Sequence, residues 1–199
     1  MPRWDSLCPM NDDPRAPRAS LHVEPTGALE TARHYIRDLV YGANDGVITT
    51  FAVVAGVTGG TLDSIAVLVV GAANLLADGL SMGVGNYHGI RSEERVREAQ
   101  SLPQLEASPV KHGIATFIAF VVAGAVPLIP FLIPGLAHRF LLSSILSLLV
   151  LFVVGAGRVT VSTGRWWTSG LEMLGLGAVV GAVAYGAGAG VAHLVDWVR

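Results

Sequence analysis

The chain has 199 residues, of which 52% are hydrophobic and only 14% charged, with a formal net charge of −2. Soluble domains carry about 25% charged residues, and a balance this close to neutral gives no electrostatic handle for nucleic acid. The single cysteine, Cys8, excludes a disulfide framework and a cysteine metal cluster within one chain.

The charges are concentrated in the first 38 residues and in Arg91–Lys111, and the remainder reads as long apolar runs. One Lys against twelve Arg, with abundant Gly and Ala, fits a GC-rich bacterial genome and therefore a bacterial inner (plasma) membrane. Met1–Thr31 contains Pro, Arg and Asp but no apolar core of a signal peptide. Residues 1–32 are expected to form a disordered cytoplasmic tail, and residues 33–199 a membrane domain.

Crossing the hydrocarbon layer takes about 20 apolar residues per helix. Five segments qualify: Ile36–Thr58, Ser64–His88, Gly113–Ile133, Phe140–Val161 and Ser169–Trp197. The expected fold class is all-α integral membrane, with five transmembrane helices. The turn Gly59-Gly60-Thr61-Leu62-Asp63 makes the first two a helical hairpin. Arg3, Arg15, Arg18, Arg33, Arg37, Arg91, Arg95, Arg97, Lys111, Arg158 and Arg165 fall on one side of these spans, and only Arg139 and Arg199 on the other. That bias places the N-terminus in the cytoplasm. Trp166 and Trp167 then lie at the inner interface and Trp197 at the outer one.

Ionisable residues in mid-membrane are costly and mark function. The first span holds Asp45. The second holds Asn74, Asp78, Met82 and Asn86, spaced i, i+4, i+8 and i+12 and so forming one stripe. At roughly 1.5 Å per residue, Asp45, Asp78 and Met82 come to similar depth in the two antiparallel helices. Carboxylate and amide oxygens with a thioether suit a divalent transition ion such as Fe2+. Ligands that also bind protons permit metal–proton exchange. Glu172 opens the fifth span near the inner interface, where a favourable first-turn charge and a cation-attracting role are equally open readings.

Gly42/Gly46, Gly79/Gly83 and Gly177/Gly181 let helices approach closely, either within one chain or between two. The odd number of spans and the polar stripe favour a homodimer. Pro127, Pro130 and Pro134 are expected to kink or end the third span. Within the loop His88–His112, Ser92–Glu98 reads as a charged continuation of the second helix that ends before Pro103. Glu94 and Glu98 are helical neighbours there that are able to touch one cation, although Glu–Arg pairing on a solvated helix end is the plainer reading.

Arg37-Asp38-Leu39-Val40-Tyr41-Gly42-Ala43-Asn44-Asp45-Gly46 resembles the opening motif of the vacuolar iron transporter family. So does Ala73-Asn74-Leu75-Leu76-Ala77-Asp78-Gly79-Leu80-Ser81-Met82, followed by Gly85-Asn86-Tyr87 and Ser92-Glu93. Supporting matches are Gly124 with Pro127-Leu128-Ile129-Pro130, and Glu172-Met173 with Ala184-Tyr185-Gly186-Ala187-Gly188. The resemblance implies five helices, a homodimer with a pathway near its interface, and export of Fe2+, often also Mn2+, from the cytosol in exchange for protons. The family's embedded metal ligands, an aspartate in the first helix and a methionine in the second, map onto Asp45 and Met82. Plant-type members carry Glu where this chain has Asn86, and insert a Glu- and Met-rich helical domain where this chain has a short loop.

The reading that follows is a homodimeric secondary transporter of Fe2+ or Mn2+. Asp45 and Met82 bind the metal, and Asp78 binds metal or moves protons. Asn74 and Asn86 serve as weaker ligands, and Glu172, Glu94 and Glu98 attract cations at the mouth. The alternative is a membrane metal-binding scaffold or sensor without transport. An enzyme is not expected: the sequence shows no His-rich metal motif and no nucleophile with a paired base. His34, His88, His112, His138 and His193 sit near span ends and His22 in the tail. No resident cofactor is expected; the partners are the metal ion, protons and the lipid bilayer.

Overall fold

A computed structural model describes residues 20–22, 25–160 and 165–198. Cys8 and most of the expected tail lie outside the described residues, as do residues 161–164. The described chain is helical: α1 (Ala28–Gly59), α2 (Ser64–Ala99), α3 (Pro109–Gly124), α4 (Ile129–Leu132), α5 (Arg139–Gly157) and α6 (Trp166–Val198). Short 3-10 turns cover Val126–Leu128 and Arg158–Thr160. An isolated parallel bridge joins Ser20 to Gln104.

Five stretches are long and apolar enough to cross a membrane, with α3 and α4 together making one of them. Large apolar side chains such as Ile65, Val69, Leu76, Leu80, Val122, Leu149, Val183 and Leu194 point outward on these helices. A soluble bundle buries such residues; a bilayer solvates them. The helices outrun the expected spans at several ends. The length rule marks only the part that crosses hydrocarbon, and α1 and α2 continue beyond it on polar sequence. Thus α2 carries its charged turn Ser92–Glu98 as helix up to Ala99, just before Pro103.

The α1–α2 turn is closed by Asp63, whose carboxylate accepts the Ala66 amide (2.8 Å) as an N-cap. Thr61 takes the left-handed φ of 59° that the reversal requires. The third span breaks at Pro127, as the prolines predicted. The Pro127 carbonyl accepts a hydrogen bond from the buried Ser143 hydroxyl of α5 (2.7 Å), so the break leaves that acceptor satisfied.

The core is glycine-led. A Cβ on Gly42 would strike the Thr116 carbonyl, one on Gly46 the Phe120 backbone, and one on Gly83 the Gly113 carbonyl. Gly79 sits 3.1 Å by the same measure from the Phe120 ring. Helix α3 therefore lies in the groove between α1 and α2, touching both through their glycines. Gly177 and Gly181 receive the side chains of Leu151 and Phe51. All three glycine pairs are used within one chain. Phe120 is fully buried among Val54, Val67, Leu75, Leu128 and Phe131, with Met82 packed on this cluster.

Candidate metal centre

The polar residues of α1 and α2 separate into two levels. Arg37, Arg91 and Arg97 mark one end of the bundle, here the basic end.

The deeper level holds Asp45, Asn74, Asp78 and Met82. Asp45 is half-buried on α1 and lies within range of the Asp78 charge on α2. The Asn74 amide donates to Asp78 Oδ2 (2.9 Å), one turn away on the same helix face. Neither carboxylate forms an ion pair with Arg, Lys or His among the described residues. Met82, one turn farther along α2, is half-buried and packs on the apolar cluster that includes Phe120. Asn44 adds a signal the sequence reading passed over: its Oδ1 is buried without a hydrogen bond among the described residues. It lines a cleft of about 440 Å3 with Tyr41, Arg158 and Met173.

Asn86, the last residue of the stripe, belongs to the second level, about two turns nearer the basic end. Its side-chain amide donates to Asp38 Oδ1 (2.9 Å) and to the Thr116 hydroxyl (2.8 Å). Asp38 is only 2% exposed, and its other oxygen, Oδ2, lies 2.5 Å from His112 Nδ1 on α3. Asp38, Asn86 and Thr116 therefore join α1, α2 and α3. A cleft of about 490 Å3, lined by Arg37, Tyr41, Asn86 and Glu93, opens onto Asp38 from the basic end. The signal for Asp38 was present in the sequence: it precedes Asp45 by two helical turns on the same face.

The outlying acids do other things. Glu94 Oε1 accepts the amides of Leu105 (2.9 Å) and Glu106 (2.8 Å), so it braces the α2–α3 connection. Glu98 is exposed and offers its carbonyl to Ser101 at the helix end. Glu172 is exposed on α6. His88 is exposed and packs on Tyr87.

A histidine cluster that no sequence motif announces is formed by the fold. His22, His34 and His112 converge on Glu106. They come from separate segments: the stretch bridged to Gln104, the start of α1 and the start of α3. Their spacing in sequence has no metal-motif pattern, because only the folding of residues 20–22 back onto the α2–α3 connection brings them together. Burial pushes the Glu106 carboxyl up. The Ser108 amide, the His112 side chain and the charges of His112 and His22 outweigh this and hold it below the ordinary value.

The model of the VIT family matches this chain over residues 36–103 and 96–189. The two matches meet in the short connection between α2 and α3. The vacuolar iron transporter of Toxoplasma gondii (strain ATCC 50861 / VEG) is 28% identical over 225 residues, covering 79% of this chain and 74% of its own length. Vacuolar iron transporter 1 of Eucalyptus grandis is 26% identical over 214 residues, covering 78% and 86% respectively. Vacuolar iron transporter 1 of Arabidopsis thaliana is 24% identical over 240 residues, covering 88% and 96%. These aligned lengths exceed the part of this chain they use, so the relatives carry sequence that this chain lacks. With the family model covering most of its length, the chain belongs to the VIT family.

Proposed function

We propose that the protein is a secondary transporter that moves Fe2+, and also Mn2+, out of the cytosol in exchange for protons. The observation that carries this reading is the pair Asp45 and Asp78. They are two carboxylates within range of each other's charge, on adjacent membrane-spanning helices, with no cationic side chain paired to either among the described residues. Such a pair is costly in a membrane unless a cation or protons neutralise it. Alternate occupancy by a dication and by protons is the elementary requirement of exchange. Met82, on the same α2 face, adds a soft donor that favours a transition ion over Mg2+ or Ca2+. The relatives named as vacuolar iron transporters support the same cargo.

In this reading the basic end is cytoplasmic by the distribution of Arg and Lys, and the membrane is a bacterial plasma membrane. Ions enter through the cleft beside Arg37, Asp38 and Glu93, and Asn44 and Asn74 flank the path. Exposed Ala73, Ala77, Ser81 and Gly85 form a small-residue face on α2 that supports close packing of a second protomer. The pathway then lies beside that interface, where Asp45 and Asp78 are half-buried in the single chain.

The test is anaerobic uptake of Fe2+ and of Mn2+ into proteoliposomes, with and without a pH gradient, for native protein and Asp45→Ala. Gradient-dependent uptake that Asp45→Ala abolishes is expected. Binding without uptake by folded native protein overturns the transport reading.

A further inference from the structure

We propose that His22, His34 and Glu106, with His112 positioning Glu106, form a second binding site for a divalent transition-metal ion, separate from Asp45 and Asp78, at the basic end of the bundle. Glu106 is approached by His22 Nδ1 at 3.4 Å, His34 Nε2 at 3.3 Å and His112 Nε2 at 2.9 Å. One ligand atom from each of His22, His34 and Glu106 lies within 4.8 Å of the others. These nitrogen–oxygen separations are the edge lengths of a coordination polyhedron whose metal–ligand bonds are about 2.0–2.2 Å. Side-chain exposure is 6% for His22 and His112, 14% for Glu106 and 25% for His34, so the group is largely shielded from water.

Three further features point to an ion. The first is orientation. His112 holds Nδ1 against the Asp38 carboxylate and turns Nε2 toward Glu106. The Asp38 carboxylate fixes the His112 ring, and the ring in turn positions Glu106 as an outer-shell partner of a metal-binding carboxylate does. The second is satisfaction. His34 Nε2 is buried and makes no hydrogen bond among the described residues, although it lies 3.3 Å from Glu106. The third is charge. One dication balances Glu106 and Asp38 with all three imidazoles neutral, whereas three imidazolium rings in contact leave surplus positive charge in a shielded site. The rings are close, with centroids 5.7 Å apart for His22–His34 and 5.1 Å for His34–His112.

The frame is built from elsewhere. Glu94 holds the Leu105 and Glu106 amides, Arg97 Nε donates to the Pro103 carbonyl (2.9 Å), and the Leu21 amide donates to the Gln104 carbonyl (2.8 Å). Imidazole nitrogens with one carboxylate suit Zn2+, Fe2+, Mn2+ or Co2+ and exclude nothing softer than their order of affinity dictates. Three protein ligands, His22, His34 and Glu106, meet the spacing for one ion, and His112 adjoins them through Glu106. Occupancy ties residues 20–22 to the starts of α1 and α3.

The experiment is Co2+ binding to full-length detergent-solubilised protein, read by equilibrium dialysis and the visible spectrum. The background is Asp45→Ala, which removes the membrane site. About one Co2+ per chain with an imidazole-type spectrum is expected to remain there. Binding should weaken roughly tenfold or more in Asp45→Ala combined with His22→Ala and His34→Ala. Asp38→Asn should weaken it about 10- to 100-fold by releasing His112. To separate loss of binding from loss of folding, diethyl pyrocarbonate labelling is read on the unmutated cluster: Co2+ should protect His22, His34 and His112 but not His88. Binding that survives loss of His22 and His34, or labelling of the three histidines that Co2+ leaves unchanged, overturns the site and leaves the cluster as a hydrogen-bonded brace. Neither result bears on whether Asp45 supports transport.

Discussion

Asp38 and His112 stand 74 positions apart in the chain, yet their Oδ2 and Nδ1 atoms meet 2.5 Å apart where α1 packs on α3. Both are buried, and Asp38 also accepts from Asn86 of α2. One carboxylate thus joins three helices just below the level of Asp45.

Loss of that carboxylate leaves buried partners behind. Asp38→Ala takes one acceptor from the Asn86 amide, which keeps Thr116, and leaves His112 Nδ1 without its carboxylate; an unpaired buried polar group costs about 1–3 kcal/mol. The variant should lose thermal stability in detergent, measured by unfolding monitored with intrinsic fluorescence or by size exclusion after heating. Asp38→Asn keeps an acceptor for one partner and should lie between the two. Equal stability of native protein and Asp38→Ala contradicts the network.

Met82 separates soft from hard cargo. Met82→Leu conserves volume beside Phe120, and such exchanges cost less than about 1.5 kcal/mol. Fe2+ uptake should fall while Mn2+, the harder ion, is affected less. Uptake of both ions measured on the same vesicles checks this. An unchanged Fe2+ to Mn2+ ratio removes the thioether from the site.

The glycines differ in what they can tolerate. Gly46→Ala drives a methyl into the Phe120 backbone, which cannot swing aside as a side chain can. A loss of about 1–3 kcal/mol is expected from the overpacking. Gly175→Ala meets nothing within 4 Å and should gain up to about 1 kcal/mol of helix propensity. Thermal unfolding of the two variants side by side should show shifts of opposite sign.

The second protomer is testable by a single cysteine. With Cys8 replaced by serine, Ala77→Cys on the exposed α2 face should cross-link to its own copy, because a two-fold axis brings a residue on that face against itself. A cysteine at Val122, exposed on the far side of α3, should not. The read-out is the dimer band on a non-reducing gel of membranes. Cross-linking at Val122 but not at Ala77 places the interface elsewhere.

Glu106 sets a pH dependence in metal-free protein. Its carboxyl is held below its ordinary value of 4.5, so the folded state binds its proton less readily than the unfolded chain. The stability it contributes is complete above 4.5 and is lost as pH falls through the lowered folded value. In chelator-treated protein, the native melting temperature should therefore drop on acidification below that point more than that of Glu106→Gln. Parallel curves for the two proteins contradict the assignment.

Much of the membrane architecture was determined by the sequence alone. A helix in lipid must satisfy its own backbone, so an apolar run of span length has one available structure. Five such runs, the reversal at Gly59–Asp63 and the break at Pro127 were all legible for that reason. The stripe Asn74–Asp78–Met82 was equally legible, since residues four apart share a helix face whatever the helix packs against. Tertiary structure decided the partners. That α3 enters between α1 and α2, using Gly42, Gly46, Gly79 and Gly83, follows from side-chain volumes meeting in space, which no single segment encodes. The same packing drew Asn86 away from the deeper carboxylates and onto Asp38. His22, His34 and His112 share no helix and no spacing. They meet at Glu106 because α1 packs on α3 and because residues 20–22 are bridged to the α2–α3 connection at Gln104, both contacts between segments far apart in the chain.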